Sequence, residues 1–326
     1  MNEIASERKF KFVNFIAKQR ALALFLLIVV FCLAFSLILP KTFGTLDNFA
    51  LILLNMSAES MILVAICLIL ISGEIDLSLG SIMVLGGILC GRFMILGHMP
   101  TVLAILLPLL ISLVAGIING IIVAKLNVVS FIATLATGMI YLGIAIMLAG
   151  TGWTDFPDPV FKALGQSKIF GLIQLPVVYM IVIIALFAFA IAKTRFFRQY
   201  YYIGGNTKAA VLSGINIDRM RVISFVISAF LGCMAGIVTA MRFNSAMPSV
   251  GAGVELRAVT AAVIGGVSFT GGTGTMVGAA MGALFVACLN NALMAIKLNA
   301  NLQFSVTGLV LILAIVVDII VSRKNK

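Results

Sequence analysis

The sequence predicts an all-α polytopic membrane protein, and three observations carry that prediction. The 326-residue chain is 62% hydrophobic and only 10% charged, beyond what a soluble domain of this length needs for its core. Apolar runs of about 20 residues recur from end to end, each long enough to cross a bilayer as a helix. The stretches between them are too short to fold as separate domains. A closed β-barrel would instead show alternating segments of about ten residues, not unbroken runs such as 22–39.

The first run, 21–39, follows Arg8, Lys9, Lys11, Lys18 and Arg20 and has the basic start of a secretory signal. Its 19 residues end at Pro40-Lys41 and exceed a signal core, so it reads as a retained first span. Further spans are expected at 49–72, 81–97, 101–124, 130–150, 176–193, 222–241, 255–270, 275–296 and 303–321, about ten transmembrane helices in all. The weakest is 255–270, with 16 residues and Glu255 and Arg257 at its outer end. It runs into Gly271-Gly-Thr-Gly274, as expected of a broken or re-entrant helix lining a cavity.

Ten spans place both termini on one side. The N-terminus, the 125–129 turn, the 193–221 loop and the tail hold 15 Lys and Arg, against six on the opposite face. The termini and the 193–221 loop are therefore expected to be cytoplasmic. The organisation is then an N-terminal segment 1–20, one transmembrane domain 21–321, and a tail 322–326. The opposite loop, 151–175, carries Trp153, Asp155, Pro157, Asp158 and Pro159 and reads as an ordered external cap where another protein could land.

The net charge of +11 resides at span ends without interleaved aromatics, which points to membrane lipid and excludes nucleic acid. The five cysteines fall inside apolar runs at no metal or redox spacing. The one histidine, His98, lies in a short turn, so no catalytic residue and no metal ligand is expected. Gly271–Gly274 lacks the Gly-Lys-Ser/Thr of a phosphate loop and reads as a tight turn. Any driving energy comes from elsewhere.

Three Gly-x-x-x-Gly pairs, Gly116…Gly120, Gly232…Gly236 and Gly278…Gly282, read as helix-packing sites. The pieces 116–127 and 278–290 also resemble one another, a hint of a duplicated scaffold. Polar groups at membrane depth are costly and point to function. Asn55 and Glu59 share a face of the second span, one turn apart, and either look onto a polar pathway or make a hydrogen bond between helices. Asn290 and Asn291 pose the same pair of readings.

Residues 72–81, Ser-Gly-Glu-Ile-Asp-Leu-Ser-Leu-Gly-Ser, read as a rigid corner. Asp76 and Ser78 are its candidate caps, and Gly73 and Gly80 permit its reversal. In 193–221, Asn206 is a candidate N-cap, 207–213 can make about two turns, and Gly214 supplies the terminating glycine. Ala209, Leu212 and Ser213 then share a small, shallow face. A groove on another protein could receive it; a solvated linker or a helix on lipid headgroups is the other reading.

Residues 73–81 resemble the Gly-Gly-Ile-Asp-Leu-Ser-Val-Gly-Ser motif of ribose-type sugar permeases, the membrane subunits of ATP-binding-cassette importers. Gly204–Asn216, Pro248…Gly251-Ala-Gly-Val-Glu-Leu256 with Gly265-Gly266, and Leu289-Asn-Asn291 agree in order and spacing. The resemblance runs from about residue 20 to Asp318 and implies a paired permease in the bacterial inner membrane. The partner is a second copy or a homologous permease. Cytoplasmic ATPase subunits lie below and an extracytoplasmic solute-binding protein above. It implies that Gly204, Gly205, Asn206, Ala209, Ala210, Ser213 and Gly214 form an ATPase-coupling helix. The chain holds no cofactor of its own, ATP and Mg belonging to the ATPase, and the solute passes unchanged. Glu59, Glu74, Arg257, Thr273 and Thr275 depart from the family pattern. The competing expectations are a stand-alone ion-coupled secondary transporter, with Glu59 as coupling acid, and an integral membrane enzyme.

Overall fold

The computed structural model describes residue 22, residues 24–150, 153, 154 and 156–299, and isolated positions between 302 and 316. The expected segment 1–20, Asp155, most of the span at 303–321 and the tail 322–326 lie outside the described residues.

In chain order the helices are α1 (Leu24–Ile38), α2 (Leu46–Ile71), α3 (Leu79–Ile95), α4 (Thr101–Ala124), α5 (Ser130–Ala149), α6 (Pro159–Gln166), α7 (Leu175–Lys193), α8 (Arg195–Gly205), α9 (Thr207–Leu212), α10 (Ile217–Phe243), α11 (Val254–Ile264) and α12 (Met276–Ala295). Among the described residues six of them, α2, α4, α5, α7, α10 and α12, are long and apolar enough to cross a membrane. Side-chain oxygens accept the first free amides at several starts: Thr45 from Asn48, Thr194 from Phe197, Asn216 from Arg219 and Thr275 from Gly278.

Burial separates the centre of the bundle from its rim. In α2, 83% of the apolar stretch is buried, and in α10 67%, against 33% for α4 and α5 and 28% for α7. An apolar helix buried all round belongs to a core, whereas one exposed on most of its surface faces lipid. The three Gly-x-x-x-Gly pairs lie at helix crossings. A Cβ on Gly116 would sit 2.6 Å from the Val226 Cα of α10, and one on Gly120 2.7 Å from the Val222 Cα. Gly232 and Gly236 press on α3, and Gly278 and Gly282 on α11. With lipid outside, close backbone approach is what holds such helices together.

The described residues are mostly helical, in keeping with an all-α membrane protein. The run 255–270 is broken, as its sequence suggests, and is not one continuous span: α11 ends at Ile264, and its 11 residues reach only about 16 Å. Gly265-Gly266 and the glycine-rich turn stop it, Gly266 taking a positive φ of 86°. Short two-residue strands accompany the helices. Strands β1 (Trp153–Thr154) and β4 (Ser245–Ala246) pair antiparallel, and β2 (Lys168–Ile169) and β3 (Ile173–Gln174) form a hairpin. With α6, these short pairs give the 151–175 loop its order, since they satisfy backbone groups that no long helix reaches.

Candidate coupling face and transport path

The corner between α2 and α3 is built around a fully buried carboxylate. Gly73, at φ 81°, ends α2, and residues 74–78 run non-helically to α3. Asp76 Oδ1 accepts from the Ser78 amide at 2.9 Å and the Ser78 hydroxyl at 2.6 Å; Oδ2 accepts from the Ser228 hydroxyl of α10 at 2.6 Å. Asn119 of α4 donates to Ser78 Oγ at 2.9 Å, and Tyr141 of α5 donates to Asn119 Oδ1 at 3.1 Å. The Ile75 and Leu77 amides donate to Ser130 and Thr134 of α5. Three donors replace the water that Asp76 loses, so a buried carboxyl becomes a fastening between four elements.

Two residues of this corner act differently from expectation. Ser78 flanks α3 but makes no side-chain cap: its Oγ accepts from Asn119 and its hydroxyl donates to Asp76. Gly80 lies in the first turn of α3, not in the reversal. A Cβ there would run into the Gly251 backbone of the 3-10 turn Pro248–Gly251 and the Glu255 carboxylate, so close approach is its role.

At the same end of the bundle, the 193–221 stretch forms two helices where one was expected. Thr194 caps α8, whose Tyr200 and Ile203 are buried against the core; Tyr200 donates to the Met220 carbonyl at 3.1 Å. Burial pushes the Tyr200 phenol up, so it stays protonated as a donor. Asn206 then caps α9, its Oδ1 accepting from the Ala209 amide at 3.1 Å, and Gly214 follows at φ 80°. Only Ala210 of α9 is buried; Ala209, Leu212 and Ser213 are exposed, Leu212 at 89%.

Gly204 and Gly205 fix this pair of helices to the core. The Gly272 amide donates to the Ile71 carbonyl at 2.9 Å, closing the end of α2 against the turn before α12. A Cβ on Gly204 would run into the Ile71 carbonyl, and one on Gly272 would sit 2.7 Å from the Gly205 Cα. One on Gly271 would sit 2.8 Å from the Gly73 Cα. Three chain segments thus cross backbone on backbone, and Gly204, Gly271 and Gly272 leave no room for a Cβ. Tyr201 adds a bond to the Gly274 carbonyl at 2.8 Å, and Arg221 pairs with Glu74 at 2.7 Å. The polar loop, the corner and the glycine-rich turn form one unit.

Near the middle of α2 a second polar group collects. Arg257 donates to Glu59 Oε1 from Nη2 at 2.8 Å and from Nε at 3.1 Å. Arg242, at the end of α10, donates to Asn55 Oδ1 at 2.5 Å and lies 4.7 Å from the Phe243 ring. Asn55 and Glu59 therefore both bond between elements, while the Glu59 side chain stays 39% exposed. Asn291 and Asn48 exchange reciprocal amide bonds at 2.9 Å, tying α12 to the start of α2 about 10 Å along the helix from Asn55. Asn290 is half-buried beside it.

Several participants were not singled out by sequence reasoning. Ser228, Asn119 and Tyr141 complete the Asp76 network, and each was visible as an isolated polar group in an apolar run. The partners of Arg242 and Arg257 were not legible, because nothing local tells which carboxylate or amide, nearly 200 residues away, they meet.

The matches to known proteins cover these elements. A family model described as branched-chain amino acid transport system / permease component matches residues 48–315. The chain is 34% identical over 321 residues to the ribose import permease protein RbsC of Haemophilus influenzae, covering 97% of each. It is 32% identical over 314 residues to RbsC of Bacillus subtilis, covering 94% of this chain and 95% of that one. The autoinducer 2 import system permease protein LsrC of Photorhabdus luminescens is 34% identical over 265 residues, covering 80% of this chain and 79% of its own length. No solved structure matches the chain. Because the family model spans the elements from α2 to α12, and its relatives run almost the full length, the chain belongs to the branched-chain amino acid transport system / permease component family.

Proposed function

We propose that this chain is the transmembrane permease subunit of an ATP-binding-cassette importer in the inner membrane, passing a monosaccharide or sugar-like solute. The observation that carries the reading is the capped α8–α9 pair, presented at one end of the bundle and bound to α2 and α12 through the glycine crossing. A helix held in that way can pass a partner's movement into the spans. The names of the relatives, import permeases for ribose and autoinducer 2, support a sugar-type solute.

In this reading the termini and 193–221 are cytoplasmic, about ten helices span the membrane, and one permease domain covers 21–321. Segments 1–20 and 322–326 flank it. ATPase subunits engage Gly204, Gly205, Asn206, Ala209, Ala210, Ser213 and Gly214. They carry ATP and Mg, while this chain contributes no cofactor and no ATP-hydrolysing motif. An extracytoplasmic binding protein delivers the solute at the face carrying 151–175, and a second permease, identical or homologous, completes the path. Asn55, Glu59, Asn290 and Asn291 are the candidates to line it; Gly73, Asp76, Ser78 and Gly80 hold the corner that moves with the coupling helices. The chemistry is passage without bond change.

Proteoliposome uptake of labelled ribose tests this directly. Uptake is expected only with ATP inside, the ATPase subunit present and the binding protein outside. Gradient-driven uptake without them would favour a stand-alone carrier. Cysteines replacing Lys208 and Lys162 should label from opposite sides of the membrane; labelling of both from outside would remove the topology.

A further inference from the structure

At the end of α7 away from α8, the β2–β3 hairpin carries a large apolar side chain that the chain itself does not cover. Phe170 and Gly171 form its tip, and the Leu172 amide donates to the Ile169 carbonyl at 3.2 Å to close the turn. Both tip residues take positive φ, 52° and 71°. A hairpin turn of this kind favours Asn-Gly, since a bulky side chain is strained in the left-handed region. Phe170 stands in the asparagine position and is 97% exposed. Neither the backbone nor packing within this chain therefore asks for phenylalanine at 170.

The place of the hairpin says what surrounds it. β3 runs directly into α7, whose 19 residues measure about 28 Å, close to the ~30 Å of a bilayer's hydrocarbon core. Ile181, Val182, Leu186 and Phe189 of that helix are exposed, as on a surface that lipid covers. A span of that length begins at the boundary between acyl chains and headgroups, and the hairpin begins there with it. Ile173 fixes the depth from a second side. It packs into the cluster of Leu54, Val177 and Met180, and Leu54 lies about 12 Å along α2 from that helix's first residue. The root of the hairpin is thus beside the spans and not above them. Lys168, exposed on β2 two residues before Phe170, adds a cation suited to lipid phosphate.

We propose that the β2–β3 hairpin is an interfacial anchor: Phe170 inserts where headgroups meet acyl chains, with Lys168 at the phosphates. Its partner is the lipid surface. Because Tyr179 of α7 donates to the Leu164 carbonyl of α6 at 3.1 Å, anchoring the hairpin also holds α6 at the membrane plane. A fixed contact with lipid accounts for both the strained backbone and the uncovered ring. The anchor goes beyond the importer reading and does not depend on it.

Trp153 is the one tryptophan of the chain, so Phe170→Trp in a Trp153→Phe background places a single reporter at the tip. In vesicles of phosphatidylcholine and phosphatidylglycerol, its emission should be blue-shifted and little affected by aqueous iodide. Lipids brominated in the upper acyl chain should lower its intensity at least about twofold. Phe170→Cys carrying a polarity-sensitive fluorophore reads the same environment with Trp153 kept, the wild type serving as blank for the native thiols, and it decides the matter should the double variant not assemble. Emission typical of an indole in water, open to iodide and untouched by brominated lipid, would overturn the anchor and leave the importer reading intact. Shielding that arises only when a solute-binding protein is added would also overturn it, in favour of a protein contact.

Discussion

Arg257 grips Glu59 across 198 residues of sequence, with two guanidinium nitrogens on one carboxylate oxygen. Glu59 in α2 and Arg257 in α11 are thus each other's partners. Side-chain exposures of 39% and 21% leave the pair partly open, and an ion pair reached by water couples by about 0.2–1 kcal/mol. Glu59→Gln should leave the protein assembled while changing uptake, because shape is kept and charge is lost. A double-mutant cycle with Arg257→Gln, read by thermal unfolding in detergent, measures the coupling. Unchanged uptake by Glu59→Gln across the working pH range would make the pair structural only.

Asp76→Asn tests the corner. The amide nitrogen would face donors at Ser78 or Ser228 where a carboxylate oxygen now accepts. The expected cost is about 1–3 kcal/mol, visible as a lower midpoint of thermal unfolding. Ser228→Ala should cost less, since Asp76 keeps two of its three donors. Equal stability of Asp76→Asn and the wild type would show that the buried carboxyl is not a fastening.

Gly272→Ala tests the glycine crossing. Its methyl would need space now held by Gly205 Cα, and relief by backbone shift is expected to cost about 1–3 kcal/mol. The spans should still insert, while ATP hydrolysis becomes less responsive to solute. A normal response in a correctly inserted variant would argue against transmission through this crossing.

Asp158 gives a pH dependence with a definite sign. The Thr101 hydroxyl and the Val160 amide hold its carboxyl below the usual carboxylate range, and the bond to Thr101 joins α6 to the start of α4. A lowered folded-state pKa contributes stability that is present above about pH 4, the ordinary aspartate value, and is lost as pH falls through the lower one. The difference in unfolding midpoint between wild type and Asp158→Asn should therefore be full at pH 7 and shrink below pH 4. A difference independent of pH would remove the charge from the explanation.

The apolar runs made most spans legible, because a helix in lipid needs little beyond length and hydropathy. The predicted 101–124 coincides with α4, and 176–193 begins one residue inside α7. The local caps were legible for the same reason: Asn206 and Gly214 act on amides and turns within a few residues. What escaped was long-range. The 255–270 run reads as a weak, broken helix, but what its end meets was not legible: past Ile264, Gly265 presses on Gly278 of α12 and Gly271 on Gly73 after α2. The pairing of Ser228 with Asp76, or of Arg242 with Asn55, depends on which helix faces meet, and no local period encodes that.

The central claim is that α8 and α9 couple an external ATPase to the transport path, and Gly214→Val reads it most directly. A Cβ at 214 meets nothing within 4 Å, so the change acts through backbone alone: at φ 80° a branched residue is strained by about 1–2 kcal/mol. The end of α9 should shift while the spans stay folded. In proteoliposomes with the ATPase and the binding protein, solute-stimulated ATP hydrolysis and uptake should fall together. Normal ATP-dependent uptake by a well-inserted Gly214→Val protein would contradict the account.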